Sequence, residues 1–223
     1  MSGAALAGRV VLIAGATSAS GAAVARALAS AGAAVVAVGT RTDALEALRA
    51  SVPSVTIHTC DLADLGAVRS LADAVHTDSG RIDGLVHLVG GWRGGGSIAG
   101  QSDEDWEFFD RAFRTLRNTT RVFAEDLATS TAGRLAFVSS TAVDSPTAGA
   151  ANYAAAKAAS DTWVRAVAQG FAKDASDAAA VVFVVSALAG LEERLGDEVV
   201  RLWDVPADRV NGTRIPLRPA SLG

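Results

Sequence analysis

Three residues in the second half of the chain have the types and spacing for acid-base chemistry at a carbonyl or an alcohol: Ser140, Tyr153 and Lys157. Tyr153 is the only tyrosine of the 223 residues, and Lys157, four positions later in "NYAAAK", is one of two lysines. Random placement of two lysines would give this pairing in roughly 1 chain in 100. On a helix the i, i+4 spacing carries both side chains to one face. A free tyrosine ionises with a pKa of about 10, too high for efficient proton exchange at neutral pH. A neighbouring ammonium favours the phenolate and lowers that value. The pair is therefore a candidate proton donor to a carbonyl oxygen, and Ser140 could donate a second hydrogen bond to the same oxygen. The plainer alternative is a surface Tyr/Lys pair on an alanine-rich helix.

Such a site needs a scaffold, and the hydropathy pattern supplies one. Strand-like apolar runs cover 9–14, 34–38, 55–59, 82–89, 134–139, 181–185 and 213–217, most with apolar residues at consecutive positions, as in strands buried on both faces. Helix-patterned segments lie between them at about 20–31, 42–50, 64–78, 103–129, 151–173 and 192–203. This alternation implies right-handed βαβ crossovers. The fold expected is α/β, a Rossmann-type doubly wound parallel sheet of about seven strands with helices on both faces, as one domain over 1–223. Ligands in such sheets bind beyond the carboxyl ends of the strands. "FVSS" ends the fifth run, so Ser140, Tyr153 and Lys157 all fall at that edge.

The other end of the same edge reads as a nucleotide site. "AGATSASG", Ala14 to Gly21, joins the first strand to the first helix. Gly15 permits a tight turn, and Gly21 lets the helix start pack closely while its free amides face a pyrophosphate. A plain strand-to-helix turn is the alternative. The candidate contacts in this loop are Gly15, Thr17, Ser18, Ala19, Ser20 and Gly21. About 20 residues further on, where a dinucleotide fold usually has a ribose-binding acid, stand Thr40 and Arg41. A guanidinium and a hydroxyl suit a 2'-phosphate, which favours NADP(H) and leaves NAD(H) possible; a solvated surface arginine is the alternative. Asp43 reads as a helix N-cap. Asp61, followed by Leu62 after the third strand, could accept from an adenine amino group or cap the next helix.

Composition narrows the partners. The net charge of -4 has the wrong sign for a grip on nucleic acid. One cysteine, Cys60, rules out an internal disulfide, and the scattered histidines 58, 76 and 87 make no metal cluster. No apolar run approaches a membrane span, and "MSGAALAGRVVLIAG" does not read as a cleaved signal, so a cytoplasmic protein acting on small molecules is expected.

With these residues in hand, the chain resembles the short-chain dehydrogenase/reductase family over nearly its full length: Gly15 and Gly21, Asp61, Ser140, the Tyr153/Lys157 pair and the end "DRVNGTRIPL" match its pattern. The resemblance implies NAD(P)-dependent hydride transfer, Tyr153 as general acid/base, and Lys157 holding the nicotinamide ribose while tuning Tyr153. It also implies a homodimer or homotetramer assembled through the helices at 103–129 and 151–173. The sequence departs from the pattern in four places. Ala19 stands for the central glycine, and "HLVG", His87 to Gly90, for the usual Asn-Asn-Ala-Gly. The helix asparagine of the family's proton relay falls on Phe113 or Thr115, with Asn118 a turn further. The long lid after the sixth strand is replaced by "SALAGLEERLGDEVVRLWDV", which predicts an open pocket. A non-catalytic or regulatory NADP(H)-binding protein is the alternative function that these losses keep open.

"LVHLVGGWRGGG", residues 85–96, then falls at the carboxyl end of the fourth strand. Val89, Gly90 and Gly91 are candidates to lie against the cofactor. Trp92 could stack on a flat substrate with Arg93 at an anionic or carbonyl edge, or pack on its own loop. "GGW.GG" is also similar to the dihydropteridine reductases, short-chain reductases of planar rings.

Overall fold

Seven parallel strands form one sheet in the order β3-β2-β1-β4-β5-β6-β7 in the computed structural model, which describes residues 5–219. The strands are β1 (Val10–Ala14), β2 (Ala34–Gly39), β3 (Val55–Thr59), β4 (Gly84–His87), β5 (Arg134–Ser140), β6 (Ala179–Val185) and β7 (Arg214–Pro216). The helices are α1 (Ala19–Ser30), α2 (Thr42–Ser51), α3 (Leu65–Asp78), α4 (Asp103–Val122), α5 (Ala124–Thr129), α6 (Ala151–Asp174), α7 (Glu192–Arg201) and α8 (Ala207–Val210). Strand order reverses between β1 and β4, so the chain leaves the sheet in opposite directions there and opens a crevice at the carboxyl edge.

The two-sided burial expected of the apolar runs is realised by the period-two alternation of strands. On β1, Val11 and Ile13 face a layer built with Val24, Leu28, Leu45 and Leu195 of α1, α2 and α7. Leu12 faces the opposite layer, built with Val68, Leu116, Val164 and Phe171 of α3, α4 and α6. At the amino edge, buried Arg134 donates to the carbonyls of Gly133, Asp177, Leu202 and Val205 at 2.8–3.0 Å, joining three loops through one side chain. Among the described residues no helix is long and apolar enough to cross a membrane.

Three expectations need correction. The helix expected over 103–129 breaks at Phe123, giving α4 and α5. The hydroxyls of Thr119 and Thr120 donate back to the carbonyls of Thr115 and Leu116, competition with the helical ladder that bends a helix. Asp43 is not an N-cap: Arg41 holds that position without a side-chain cap bond, and Asp43 sits in the first turn, where its charge complements the helix dipole. The strand expected over 82–89 is confined to Gly84–His87, because its partner β1 ends at Ala14 and Gly15 turns away.

Candidate active site

The crevice at the switch point is two adjoining cavities of about 320 and 610 Å³ that share Ser18, Leu88, Val89 and Gly90. The smaller is shaped by the turn from β1 into α1. Gly15 has φ +87°, and a Cβ there would lie 2.9 Å from the Val89 amide nitrogen. A Cβ on Gly21 would lie 2.5 Å from the Ala16 carbonyl oxygen, so no larger residue lets the helix start this close to the strand. Ser18 caps α1, its hydroxyl accepting from the Gly21 amide at 2.9 Å and donating to the Gly15 carbonyl at 3.2 Å. The amides of Ala19 and Ser20 in the first turn have no acceptor within the helix. Thr17 sits beneath this turn against Gly39, and Ser20 lines the larger cavity.

Thr40 and Arg41 line the outer end of the smaller cavity, with Arg41 exposed and one of its nitrogens donating to the Thr17 carbonyl at 2.8 Å. Asp61 and Leu62 form its far wall. Asp61 does not cap α3; Asp64 does, accepting from the Gly66 and Ala67 amides. The Asp61 carboxylate accepts from the Ala63 amide and pairs with Arg111 at 2.7 Å, which together hold its pKa below the usual carboxylate value. Arg111 belongs to a face of α4, with Phe108, Ala112 and Thr115, that closes the cavity; of these the sequence points to Thr115 alone. The i, i+3, i+4, i+7 spacing of these four residues was the available signal.

Tyr153 and Lys157 line the larger cavity from α6. The Lys157 ammonium lies 6.0 Å from the centre of the Tyr153 ring and 4.7 Å from that of Phe137, and donates to the Val138 carbonyl at 2.8 Å. Burial lowers its pKa to about 8, against the opposing pull of Asp161 one turn along. The Tyr153 ring leans on Phe109 of α4 at 5.6 Å. Ser140 ends β5; its hydroxyl accepts from the Ala142 amide at 3.1 Å, which leaves its own proton free to donate. The serine lining the cavity is its neighbour Ser139. His87, the first residue of "HLVG", is buried at the floor of this cavity and hydrogen-bonded to Thr115 at 3.0 Å. Of the other residues aligned with the family's helix asparagine, Phe113 packs on Trp163, and Asn118 donates to the carbonyls of Leu62 and Ala63 to hold the loop after β3.

The glycine loop runs along the rim. Gly90 and Gly91 line the larger cavity, and Trp92, 65% exposed, borders it. Gly95 donates to the Gly149 carbonyl at 2.8 Å, and Gln101 bridges the same two backbones while accepting from the Asn152 amide, so the loop is docked on the start of α6. Arg93 lines neither cavity. Its guanidinium lies 4.2 Å over the Phe108 ring and 3.5 Å from both Glu104 and Asp105, because the first two turns of α4 place three attractive partners beside it. Opposite Trp92, Ser186, Ala187 and Ala189 form an exposed rim, and the segment in place of a lid folds as α7 against α1.

A doubly wound sheet with a glycine-bearing nucleotide turn and a Tyr/Lys helix at its switch point defines a Rossmann-type oxidoreductase. The family model described as short chain dehydrogenase matches residues 9–190, and the chain belongs to the short-chain dehydrogenase/reductase family, whose members use NAD(P). It is 32% identical over 157 residues to 2,3-dihydro-2,3-dihydroxybenzoate dehydrogenase of Bacillus subtilis, a match covering 68% of this chain and 60% of that protein. It is 43% identical over 87 residues to D-threitol dehydrogenase of Mycolicibacterium smegmatis, covering 37% and 34%. Both matches span less than two thirds of the relative's length. Among solved structures, a metagenomic short-chain oxidoreductase in complex with NADP superposes with a TM-score of 0.86 at 25% identity over 97% of this chain and 99% of that one. A short-chain type dehydrogenase/reductase from Mycobacterium ulcerans shares the fold, with a TM-score of 0.83 at 21% identity over 95% and 89%.

Proposed function

We propose that this chain transfers a hydride between NADP(H) and a small carbonyl or alcohol, or an imine, with Tyr153 as general acid/base. The observation that carries the reading is that Tyr153 and Lys157 line a cavity continuous with the nucleotide crevice at the switch point of the sheet. The bare cradle at Gly15 and Gly21 and the free first-turn amides of α1 fit a pyrophosphate. When bound, the nicotinamide supplies or accepts the hydride. The chain's own residues handle the proton: Tyr153 gives it to the developing alkoxide or takes it from the alcohol, whereas Ser140, the second donor expected from the sequence, is not among the residues that line the cavity. The Lys157 ammonium favours the phenolate that results, and holds the nicotinamide ribose.

The preference for the phosphorylated cofactor rests on Arg41. It is exposed at the outer end of the crevice with one guanidinium nitrogen anchored on the Thr17 carbonyl, which orients the remaining donors, while Thr40 adds a hydroxyl. The similar metagenomic oxidoreductase is complexed with NADP. The open rim and exposed Trp92 suit a flat substrate that reaches the cavity from solvent.

The test titrates NADPH and NADH by fluorescence and screens ketones, quinones and pterins with both. Tighter NADPH binding, lost in Arg41→Ala by about tenfold as expected for a charge-assisted contact, supports the assignment; equal affinities refute it. Tyr153→Phe is expected to abolish turnover with NADPH affinity within about twofold of wild type. A wild-type protein that binds NADPH and reduces nothing on the panel would refute the enzymatic reading.

A further inference from the structure

The imidazole of His87 is 1% exposed and hydrogen-bonded at one nitrogen alone. Its Nε2 lies 3.0 Å from the Thr115 hydroxyl oxygen, and that hydroxyl donates its single proton to the Ala112 carbonyl at 2.7 Å. A hydroxyl with its proton committed can only accept, so the ring must carry its proton on Nε2. Nδ1 is then a bare lone pair, buried and without a hydrogen-bond partner. A buried acceptor left unsatisfied is destabilising, and an apolar residue at this position would avoid that penalty.

The cation whose charge bears on the ring is Lys157. His87 and Phe137 are register partners on β4 and β5 with ring centres 6.1 Å apart, and the Lys157 ammonium sits 4.7 Å from the centre of the same Phe137 ring. His87 and Lys157 line the same cavity. Lys157 commits one of three donors to the Val138 carbonyl, leaving two. Burial and, after it, the Lys157 charge push the His87 pKa down to about 3, against a weaker contact of the ring with its own backbone that falls short of hydrogen-bond geometry, so the ring stays neutral at any working pH.

We propose that His87, its tautomer set by Thr115, is a positioning residue for Lys157. Nδ1 accepts from the ammonium through one bridging water, and so fixes where the Lys157 protons point while Tyr153 exchanges its own. The catalytic consequence rests on the hydride-transfer reading above; the tautomer and the contact do not.

Ring-15N spectra of the cofactor-free protein test the contact, since the chain holds only three histidines. One ring, identified as His87 by its loss in His87→Gln, is expected as the neutral Nε2–H tautomer from pH 5 to 8. Its Nδ1 resonance should move on Lys157→Met. Thr115→Ser keeps the acceptor and should leave the tautomer unchanged, whereas the isosteric Thr115→Val removes it and should give a tautomer mixture. An Nδ1–H tautomer in the wild type, or an Nδ1 resonance indifferent to Lys157→Met, overturns the proposal. In turnover, Thr115→Val is expected to lower kcat about tenfold with KM for the carbonyl substrate within about twofold at saturating NADPH, and Thr115→Ser to restore it. An unchanged kcat in Thr115→Val overturns the positioning role. The expected spectra in a protein that turns nothing over would support the contact and refute the hydride-transfer reading.

Discussion

Replacing Lys157 with methionine removes a charge that burial makes unfavourable, and the size and pH dependence of the effect follow from its surroundings. The ammonium pKa falls from 10.5 to about 8, roughly 2.5 units, or about 3 kcal/mol at 1.36 kcal/mol per unit. The residue as a whole is half-buried beside an open cavity, so water moderates this to about 2–3 kcal/mol. Methionine also forfeits the bond to the Val138 carbonyl, worth about 1 kcal/mol. Lys157→Met should therefore be more stable at pH 7 by about 1–2 kcal/mol, a rise of about 2–8 °C in Tm for a chain of this size, while turnover is lost.

The pH window gives the sharper test. The folded-state pKa lies below the unfolded value, so between about pH 8 and 10.5 the unfolded chain binds more protons, and the stability of the wild type rises relative to the variant. Below pH 8 the full penalty stands; by about pH 10.5 it is gone. Asp161, paired with Arg214 at 3.1 Å, together with Tyr153 and His87, surrounds the ammonium and is present in both proteins. Cys60, its thiol pushed up by burial and by Asp61 and Asp64, is present in both proteins and cancels in the difference. Urea unfolding at fixed protein concentration from pH 6 to 10 measures it. A variant less stable than wild type at pH 7, or an offset that stays constant from pH 7 to 10, would refute the reasoning.

Two other substitutions probe the walls of the crevice. Trp92→Ala is expected to raise KM for a flat substrate about tenfold, the loss of one stacking contact of about 1–1.5 kcal/mol, with NADPH affinity within about twofold; steady-state kinetics beside a fluorescence titration separate the two. Gly15→Ala places a side chain at φ +87° and 2.9 Å from the Val89 nitrogen, so NADPH affinity should drop more than tenfold and stability by about 2–3 kcal/mol, checked by titration and urea unfolding.

Much of this protein is written locally. Strands buried on both faces read as consecutive apolar residues, which is why the alternation of runs along the chain announces a parallel doubly wound sheet. Tyr153 and Lys157 are one helical turn apart, so their meeting on one wall follows from helix geometry whatever the rest of the chain does. The Gly21 end of the nucleotide turn is legible for the same reason, since the missing side chain there is demanded by the Ala16 carbonyl a few residues away, whereas at Gly15 the crowding comes from Leu88 and Val89 of a distant segment.

Contacts between distant segments are not legible in this way, because they depend on how a helix is set over the sheet. Arg93 follows an exposed tryptophan in a glycine-rich stretch and reads as a cation free to meet a substrate; only the position of α4 brings Glu104, Asp105 and Phe108 to it. Arg111 and Asp61 are 50 residues apart, and their pairing depends on α4 crossing the mouth of the nucleotide cavity. Which of two adjacent serines lines the larger cavity is decided by the twist of β5 as it ends and by the turn that takes the Ser140 hydroxyl. The sequence by itself thus determined the class of fold and the residues able to exchange a proton, since both depend on neighbours along the chain. Tertiary structure alone decided the tautomer of His87, the partners of Arg93 and the charge environment of Lys157, since each is the sum of groups from separate elements that meet only when the sheet is assembled.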